Sequence, residues 1–214
     1  PHIAAQAGPD ARVAVEPVGR NTAPAIALAA SLVDPDDVLL VCPSDHHIAD
    51  PATFARVAQA AARLARDDMM VAFGIHAARP ETGYGYIRRG AAIEGGFAVD
   101  RFVEKPDLAR AESFLAEGGY DWNGGIFAFR AGTLLDEFAR HRPEMARGVA
   151  DAVMQGHWDG RRFYPDETAW RAIDGDSIDY AVMENTARAA VVPADFGWSD
   201  IGNWQALHEA RGGD

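Results

Sequence analysis

The chain has 214 residues, of which 48% are hydrophobic, and its formal net charge is -12 at pH 7. This length and apolar content suit one globular domain with a sizeable core and argue against disorder. An acidic surface repels phosphate backbones, so nucleic-acid binding is not expected, although a local basic pocket or a metal can still attract a small anion.

Strands and helices alternate along the chain. Strands are predicted at 12–16, 38–42, 69–75, 97–104, 126–130 and 189–192. Helices are predicted from Asn21 or Thr22 to about Leu32, from 50–51 through Leu64, and over 108–117, 133–140 and 143–155. Residues 156–166 are predicted to form a surface excursion. The alternation predicts an α/β sandwich with a mostly parallel central sheet.

The single cysteine and the hydropathy pattern exclude disulfide-bonded, cysteine-rich metal-binding and membrane-spanning classes of protein. Cys42 is the only cysteine, so the chain has neither an internal disulfide nor a multi-cysteine metal site. It lies in a predicted buried strand, where a thiol is expected to be inert. No apolar run approaches the roughly 20 residues of a membrane span. We expect a cytoplasmic protein without a membrane partner, and a natural start upstream of Pro1.

Asp45 follows the predicted strand 38–42, and ligands of open α/β sheets bind at the carboxyl ends of strands. A carboxylate there suits Mg²⁺, a hard cation that prefers oxygen ligands and bridges phosphates. A turn aspartate bonded to its own backbone is the alternative interpretation. His46 and His47 are expected to pack or to support the site, because adjacent side chains of an extended segment point apart.

Six separated segments carry a more specific signal. They lie at residues 16–24 (EPVGRNTAP), 43–46 (PSDH), 102–106 (FVEKP), 122–127 (WNGGIF), 177–184 (SIDYAVME) and 196–200 (FGWSD). Together they resemble the sugar-phosphate nucleotidyltransferases, and within these the mannose-1-phosphate guanylyltransferases. The resemblance implies a Rossmann-like nucleotidyltransferase sandwich, with one catalytic domain over residues 1–214.

The resemblance also implies a reaction in which GTP and mannose 1-phosphate give GDP-mannose and pyrophosphate, with Mg²⁺ as cofactor. Asp45 and Asp200 would ligate the metal, Lys105 would contact the sugar phosphate, and Glu104 would accept hydrogen bonds from sugar hydroxyls. A carboxylate and an ammonium suit these last two tasks. Read without the resemblance, Glu104 and Lys105 are better explained as two solvated neighbours or as members of weak surface ion pairs.

Gly85, Asn123 and Gly124 are expected, from the same resemblance, to line the sugar pocket. Glycine lets a ligand approach the backbone closely, although ordinary turn chemistry also explains residues 81–86. The segment 177–184 fits an apolar helix face, and packing is its expected role. The family pattern continues with lysine where this chain has Asn185.

Glu16 is the expected reader of the base. Guanine presents two parallel N–H donors, both of which a carboxylate can accept, whereas an amide has one accepting atom. An exposed glutamate at a strand end is the alternative. Arg20, Asn21 and Thr22 lie at a predicted helix N-terminus, where N–H groups attract anions. Simple capping explains Asn21 and Thr22 nearly as well as nucleotide contact does.

The strongest motif of the family is a glycine-rich loop, with an arginine and a following Pro-Lys pair, that wraps the triphosphate. Residues 1–15 contain one glycine, Gly8, one arginine, Arg12, and no lysine. We therefore expect an N-terminally incomplete domain that is inactive alone and that is either poorly stable or self-associates, as a homo-oligomer, through exposed sheet edges. The alternatives are a non-catalytic sugar-nucleotide binding or regulatory module and a nucleotidyltransferase for another sugar phosphate.

Overall fold

The computed structural model describes residues 8–202, 204 and 208. Its strands are β1 Val13–Ala14, β2 Val38–Val41, β3 His47–Ile48, β4 Met70–His76, β5 Tyr86–Ile93, β6 Gly96–Val103, β7 Tyr120–Arg130, β8 His157–Asp159, β9 Arg162–Tyr164, β10 Ala189–Pro193 and β11 Trp198–Ser199. Its helices are α1 Thr22–Ala30, α2 Pro51–Arg66, α3 Leu108–Glu117, α4 Ala131–His141, α5 Pro143–Met154 and α6 Glu167–Arg171, with a π-helix over Asp179–Met183.

Local capping explains why the helices begin where the sequence predicts. The Asp50 carboxylate accepts hydrogen bonds of 3.0 Å from the N–H groups of Ala52 and Thr53, and Pro51 occupies the first turn of α2. Asp107 caps α3 in the same way. The predicted bounds of α3 are confirmed, and those of α4 and α5 differ by one or two residues.

The central sheet has the strand order β2-β7-β4-β10-β6-β5. Among its described pairings only β4 and β10 are parallel, since β7 runs antiparallel to β2, β4 and β5, and β6 runs antiparallel to β10 and β5. The α/β class is confirmed, but the sheet is mixed and not mostly parallel. A continuous apolar run indicates that a strand is buried on both faces, but it does not show whether the strand runs parallel or antiparallel to its neighbours. The tight turn at 94–95 makes β5 and β6 antiparallel.

Helices cover both faces of this sheet. Along β4, Met70 and Ala72 pack into a core cluster shared with α1, α4 and α5, whereas Val71 and Phe73 pack into a second cluster shared with α2 and α3. Because successive strand residues point to opposite faces, one continuous apolar run supplies both cores. The sheet therefore forms the middle layer of an α/β/α sandwich.

The described residues leave β2 at the edge of the central sheet, where Leu40 is 43% exposed. The strand predicted at 12–16 is shorter than expected, and β1 pairs with β9 of a small separate sheet. The predicted excursion at 156–166 contains the hairpin β8–β9 of that sheet. None of the helices in the described ranges is long and apolar enough to cross a membrane.

Candidate active site

A cavity of about 410 Å³ opens where several loops converge beside β7. Most of the predicted site residues line it, namely Thr22, Gly85, Glu104, Lys105, Asn123, Gly124 and Asp200. Glu16, Arg20, Asn21 and Asp45 do not. Two larger grooves, of about 750 and 860 Å³, are lined by none of the predicted residues. The cavity is therefore the candidate site.

Lys105 is the only lysine of the chain, although lysine and arginine together number 20. Its Nζ lies 3.1 Å from Glu104 Oε1, and this hydrogen bond and the carboxylate charge raise the lysine pKa, so the ammonium stays charged. Lys105 has φ 45 directly before Pro106, a conformation that side chains rarely adopt. A single compact cation held in a strained backbone is typical of a functional position.

Glu104 turns its second carboxylate oxygen into the protein. Glu104 Oε2 is buried and has no hydrogen-bond partner among the described residues, and a buried unpaired acceptor is costly to maintain. Gly85 leaves the room that this oxygen occupies, because a Cβ at residue 85 would lie 2.5 Å from it. The wall of the cavity thus holds an unpaired acceptor, which a donating ligand could satisfy after a small turn of the Glu104 side chain.

Asn123 and Gly124 lie within β7 beside this acceptor. The Asn123 amide donates a 2.7 Å hydrogen bond to Asp179 Oδ1, and its oxygen accepts one of 3.1 Å from the Gly125 N–H. A Cβ at residue 124 would approach Ile75 and not the cavity, lying 3.2 Å from its Cγ1. Gly124 can therefore offer only its backbone to a ligand.

Asp179 is a cavity residue that the sequence analysis assigned to packing. It begins the π-helix, and π-helical turns are frequent at functional sites. Burial, and next the Glu104 carboxylate, raise the pKa of Asp179 to about 6, against the lowering effects of Asn123 and Lys105. The sequence did contain one indication of this role, since Asp179 lies in the segment 177–184, which is one of the six that carry the family resemblance. Helical periodicity does not reveal Asp179, because the repeat in that segment is carried by its apolar residues alone.

Asp45 and Asp200 approach each other through the pairing of two short strands. Ser199 of β11 pairs with His47 of β3 in antiparallel register, so Asp200 and Asp45 flank the same end of this ladder. Burial lowers the pKa of His46, while the charges of both Asp45 and Asp200 raise it. The two carboxylates therefore act on one imidazole, although they are far apart in the sequence.

The described residues contain no group of three His, Cys, Asp or Glu side chains that could hold a metal ion. The predicted site needs only the oxygens of Asp45 and Asp200, with further ligands from substrate phosphates, and such an oxygen set suits Mg²⁺. Asp45 is exposed and free to turn toward an ion. The donor chemistry of the two carboxylates fits the predicted cofactor.

An aromatic cluster supports Asp200, and the sequence analysis did not identify it. The Tyr84 hydroxyl donates a 2.9 Å hydrogen bond to Asp200 Oδ1, and its ring packs edge-on against Trp122 and Trp198. Burial, and next the hydrogen bond to Asp200, raise the pKa of Tyr84 well above its usual range. Ile201, directly after Asp200, has φ 48, a strained value for a β-branched residue.

The predicted base-reading segment lies before α1. Glu16 Oε1 is buried without a partner among the described residues, and burial raises the pKa of this carboxyl despite a hydrogen bond from the Arg20 backbone. The Arg20 guanidinium contacts the Arg171 carbonyl and does not line the cavity. Asn21 caps α1 through the Thr22 N–H, and the Thr22 hydroxyl accepts a hydrogen bond from the Ile178 N–H. Capping accounts for the Asn21 contact, whereas the Thr22 contact is a tertiary hydrogen bond to the segment before the π-helix.

Cys42 corrects one sequence-based expectation. The strand β2 ends at Val41, so Cys42 lies beyond it, is exposed, and lines the cavity. Partial burial still raises the pKa of the thiol, which keeps it weakly reactive near neutral pH.

The sequence has clear relatives. A family model described as nucleotidyl transferase matches residues 2–213. The xanthan biosynthesis protein XanB of Xanthomonas campestris pv. campestris (strain B100) is 49% identical over 198 residues, covering 91% of this chain and 42% of that protein. A mannose-1-phosphate guanylyltransferase of Escherichia coli (strain K12) is 45% identical over 207 residues, covering 92% of this chain and 43% of that protein.

The fold has a close neighbour among solved structures. A crystal structure described as mannose-1-phosphate geranyltransferase from Thermus thermophilus matches with TM-score 0.81 and 35% identity, covering 94% of this chain and 58% of the other. The chain spans less than half the length of the two sequence relatives described above. Sequence, fold and cavity agree, and the chain belongs to the nucleotidyl transferase family.

Proposed function

We propose that the protein carrying this chain is a mannose-1-phosphate guanylyltransferase, which converts GTP and mannose 1-phosphate into GDP-mannose and pyrophosphate. The observation that carries the proposal is the position of Lys105, the only lysine, beside Glu104 in a cavity that Asp200 also lines. The name of the Escherichia coli relative supports the choice of substrates.

In this reaction a phosphate oxygen of mannose 1-phosphate attacks the α-phosphorus of GTP. The bond from that phosphorus to the bridging oxygen breaks, and pyrophosphate leaves with the electron pair. Lys105 neutralises and positions the sugar phosphate, while Glu104 and Asn123 hold the sugar in line. Asp45 and Asp200 would hold Mg²⁺, which neutralises phosphate charge when bound. No covalent nucleophile is needed.

Glu16 supplies the proposed selection of guanine: its Oε1 is buried without a partner among the described residues, and a turn of the side chain would let this oxygen accept an N–H of the base. The remaining assignments follow from the substrates. Both are small, highly charged molecules that do not cross a membrane unaided, so the proposed setting is cytoplasmic and the proposed reaction requires neither nucleic acid nor a membrane. Formation of a homo-oligomer stays a proposal that the mass of the protein in solution tests.

The test is formation of GDP-mannose by the full-length protein with magnesium, GTP and mannose 1-phosphate. Lys105→Met should lower kcat/KM by at least about 100-fold, the usual effect of removing one charge-stabilising group, while Lys105→Arg, which keeps the charge, should lose less. Binding of GDP-mannose without turnover would instead support a non-catalytic binding module. Faster turnover with another sugar phosphate would reassign the substrate.

A further inference from the structure

Asp179 is held in the cavity from several directions. The Thr22 hydroxyl accepts from the Ile178 N–H at 2.9 Å, and Arg142 donates to the Tyr180 carbonyl at 3.1 Å, so both neighbours of Asp179 are anchored. The Asn123 amide then fixes Asp179 Oδ1 at 2.7 Å. An anchored carboxyl costs less entropy to use than one on a free loop.

A second carboxyl, that of Glu104, lies near Asp179 beside the Asn123 amide. A Cβ at residue 85 would lie 2.5 Å from Glu104 Oε2 and 3.5 Å from Asn123 Nδ2, the atom that donates to Asp179 Oδ1. Glu104 comes from the end of β6, and its Oε1 is taken by Lys105 at 3.1 Å while its Oε2 is buried without a partner in the described part of the chain. The charged groups that act on Asp179 are Glu104 and Lys105, and β7 contributes only the neutral Asn123. Two largely buried carboxyls therefore lie near one ammonium, whose own side chain is 60% exposed, and like charges on neighbouring buried carboxyls resist ionising together.

We propose that Asp179 is a sugar-binding residue, which joins Glu104 in a two-carboxylate subsite that binds adjacent sugar hydroxyls and releases a proton when the sugar enters. This inference rests on the proposed function and adds a residue to its sugar site. In the empty cavity a proton relieves the repulsion between the two carboxyls. Two hydroxyl groups of a bound sugar supply one hydrogen bond to each carboxylate, so the proton is no longer required.

The direction of the Asp179 pKa supports this exchange. Burial and the Glu104 charge raise that pKa to about 6, so near neutral pH a fraction of the empty protein holds the proton. Donation by sugar hydroxyls stabilises the ionised form and lowers the pKa on binding. Sugar affinity should consequently fall as the pH is lowered through about 6, because the proton then competes with the hydroxyls.

The experiment compares wild-type full-length protein with Asp179→Asn, which keeps the shape but cannot ionise, and with the exposed control Asp174→Asn. Steady-state kinetics should show KM for mannose 1-phosphate raised by about 10- to 100-fold in Asp179→Asn, the range for a hydrogen bond to a charged group. The KM for GTP should not change. A residue that merely stabilised the fold would not separate the two KM values.

Proton release is measured directly by calorimetry of GDP-mannose binding in two buffers with different ionisation enthalpies, between pH 5 and 8. The phosphates of GDP-mannose do not titrate in that range. His46 also faces the cavity, so the readout is the difference between wild type and Asp179→Asn. Wild type should release more protons than the variant near pH 6, and Asp174→Asn should match wild type.

The outcomes separate the two proposals. Wild-type protein that makes GDP-mannose while Asp179→Asn keeps both the wild-type KM and the wild-type proton release overturns the Asp179 inference alone. Wild-type protein that neither makes nor binds GDP-mannose overturns the proposed function and this inference with it. If Asp179→Asn fails to fold, Glu104→Gln removes the other carboxyl of the pair and should reduce the same proton release, because burial still raises the Asp179 pKa but the Glu104 charge no longer does. Unchanged release in that variant also overturns the inference.

Discussion

The Tyr84 hydroxyl donates a hydrogen bond of 2.9 Å to Asp200 Oδ1, which joins the glycine-rich turn before β5 to the segment after β11. The Gly202 N–H donates to the same oxygen at 3.1 Å, so the Asp200 carboxylate is oriented from two sides. Groups that orient a metal-binding carboxylate contribute to the affinity of the site for the metal ion.

Removing that hydroxyl should therefore weaken metal-dependent catalysis. We expect Tyr84→Phe to raise the magnesium concentration needed for half-maximal activity by about 10-fold, within the range known for groups that support a metal ligand. Tyr164→Phe, on β9 of the separate small sheet, is the matched control. An unchanged magnesium dependence in Tyr84→Phe, with normal folding, would assign the hydrogen bond a packing role only.

The proposed metal pair makes a geometric prediction. In a crystal structure with magnesium and substrate, the carboxylates of Asp45 and Asp200 should ligate one ion and therefore lie well within about 10 Å of each other. Asp45→Asn and Asp200→Asn should each weaken Mn²⁺ binding, measured by electron paramagnetic resonance in the presence of GTP. The exposed Asp151→Asn on α5 should not. A larger separation in the ligand-bound protein would rule out a shared ion.

Glu16 should determine the choice of base. In the full-length protein, Glu16→Gln should reduce discrimination between GTP and other nucleotides by roughly 1.5–3 kcal/mol, the contribution of a hydrogen bond to a charged group. Competition kinetics with GTP, ATP and UTP measure it. Glu94→Gln, exposed in the β5–β6 turn, is the control. Equal discrimination by Glu16→Gln and wild type would remove Glu16 from the base site.

The ionised Asp179 carboxylate should lower the free energy of unfolding of the ligand-free protein. Its pKa of about 6 exceeds the ordinary value of 3.8, so between these values the folded state binds the proton more tightly than the unfolded chain does. Stability contributed by the protonated carboxyl is present below about pH 4 and is lost as the pH rises through about 6. Asp179→Asn should therefore be more stable than wild type at pH 7.5, by about 1–3 kcal/mol.

Thermal unfolding from pH 4 to pH 8 measures this difference. The gain should shrink toward zero as the pH falls to 4 and below, because wild-type Asp179 is then protonated in the folded state and becomes protonated in the unfolded chain as well. The Asp174→Asn control should follow wild type throughout. A pH-independent difference between Asp179→Asn and wild type would mean that the substitution acts through packing and not through ionisation.

Cys42 offers a chemical probe of the cavity. Its thiol is exposed at the cavity wall, and partial burial raises its pKa, so alkylation should be slow at pH 7 and faster toward pH 9 as thiolate forms. Bound GDP-mannose should slow the reaction, as mass spectrometry of the peptide containing Cys42 would show. Equal labelling with and without ligand would place the ligand outside this cavity.

Features that depend on near neighbours in the chain were predictable. Asp50 and Pro51 start α2 because capping needs only the next few residues, and the apolar run at 69–75 forms β4 because burial on both faces leaves no polar position. The motif at 102–106 likewise pointed to Glu104 and Lys105, and these two residues do line the cavity. Local periodicity and motif residues therefore identify elements and candidate side chains.

Other features of the fold and of the site depend on contacts between segments that are distant in sequence. The reversed direction of β7, the approach of Asp200 to Asp45 through β11 and β3, and the exposure of Cys42 depend on pairings between distant segments. The shifted pKa of Asp179 depends on burial beside Glu104, which comes from another strand. Strand direction and desolvation are properties of the packed chain, since they depend on which groups surround a residue in space and not on its neighbours in sequence.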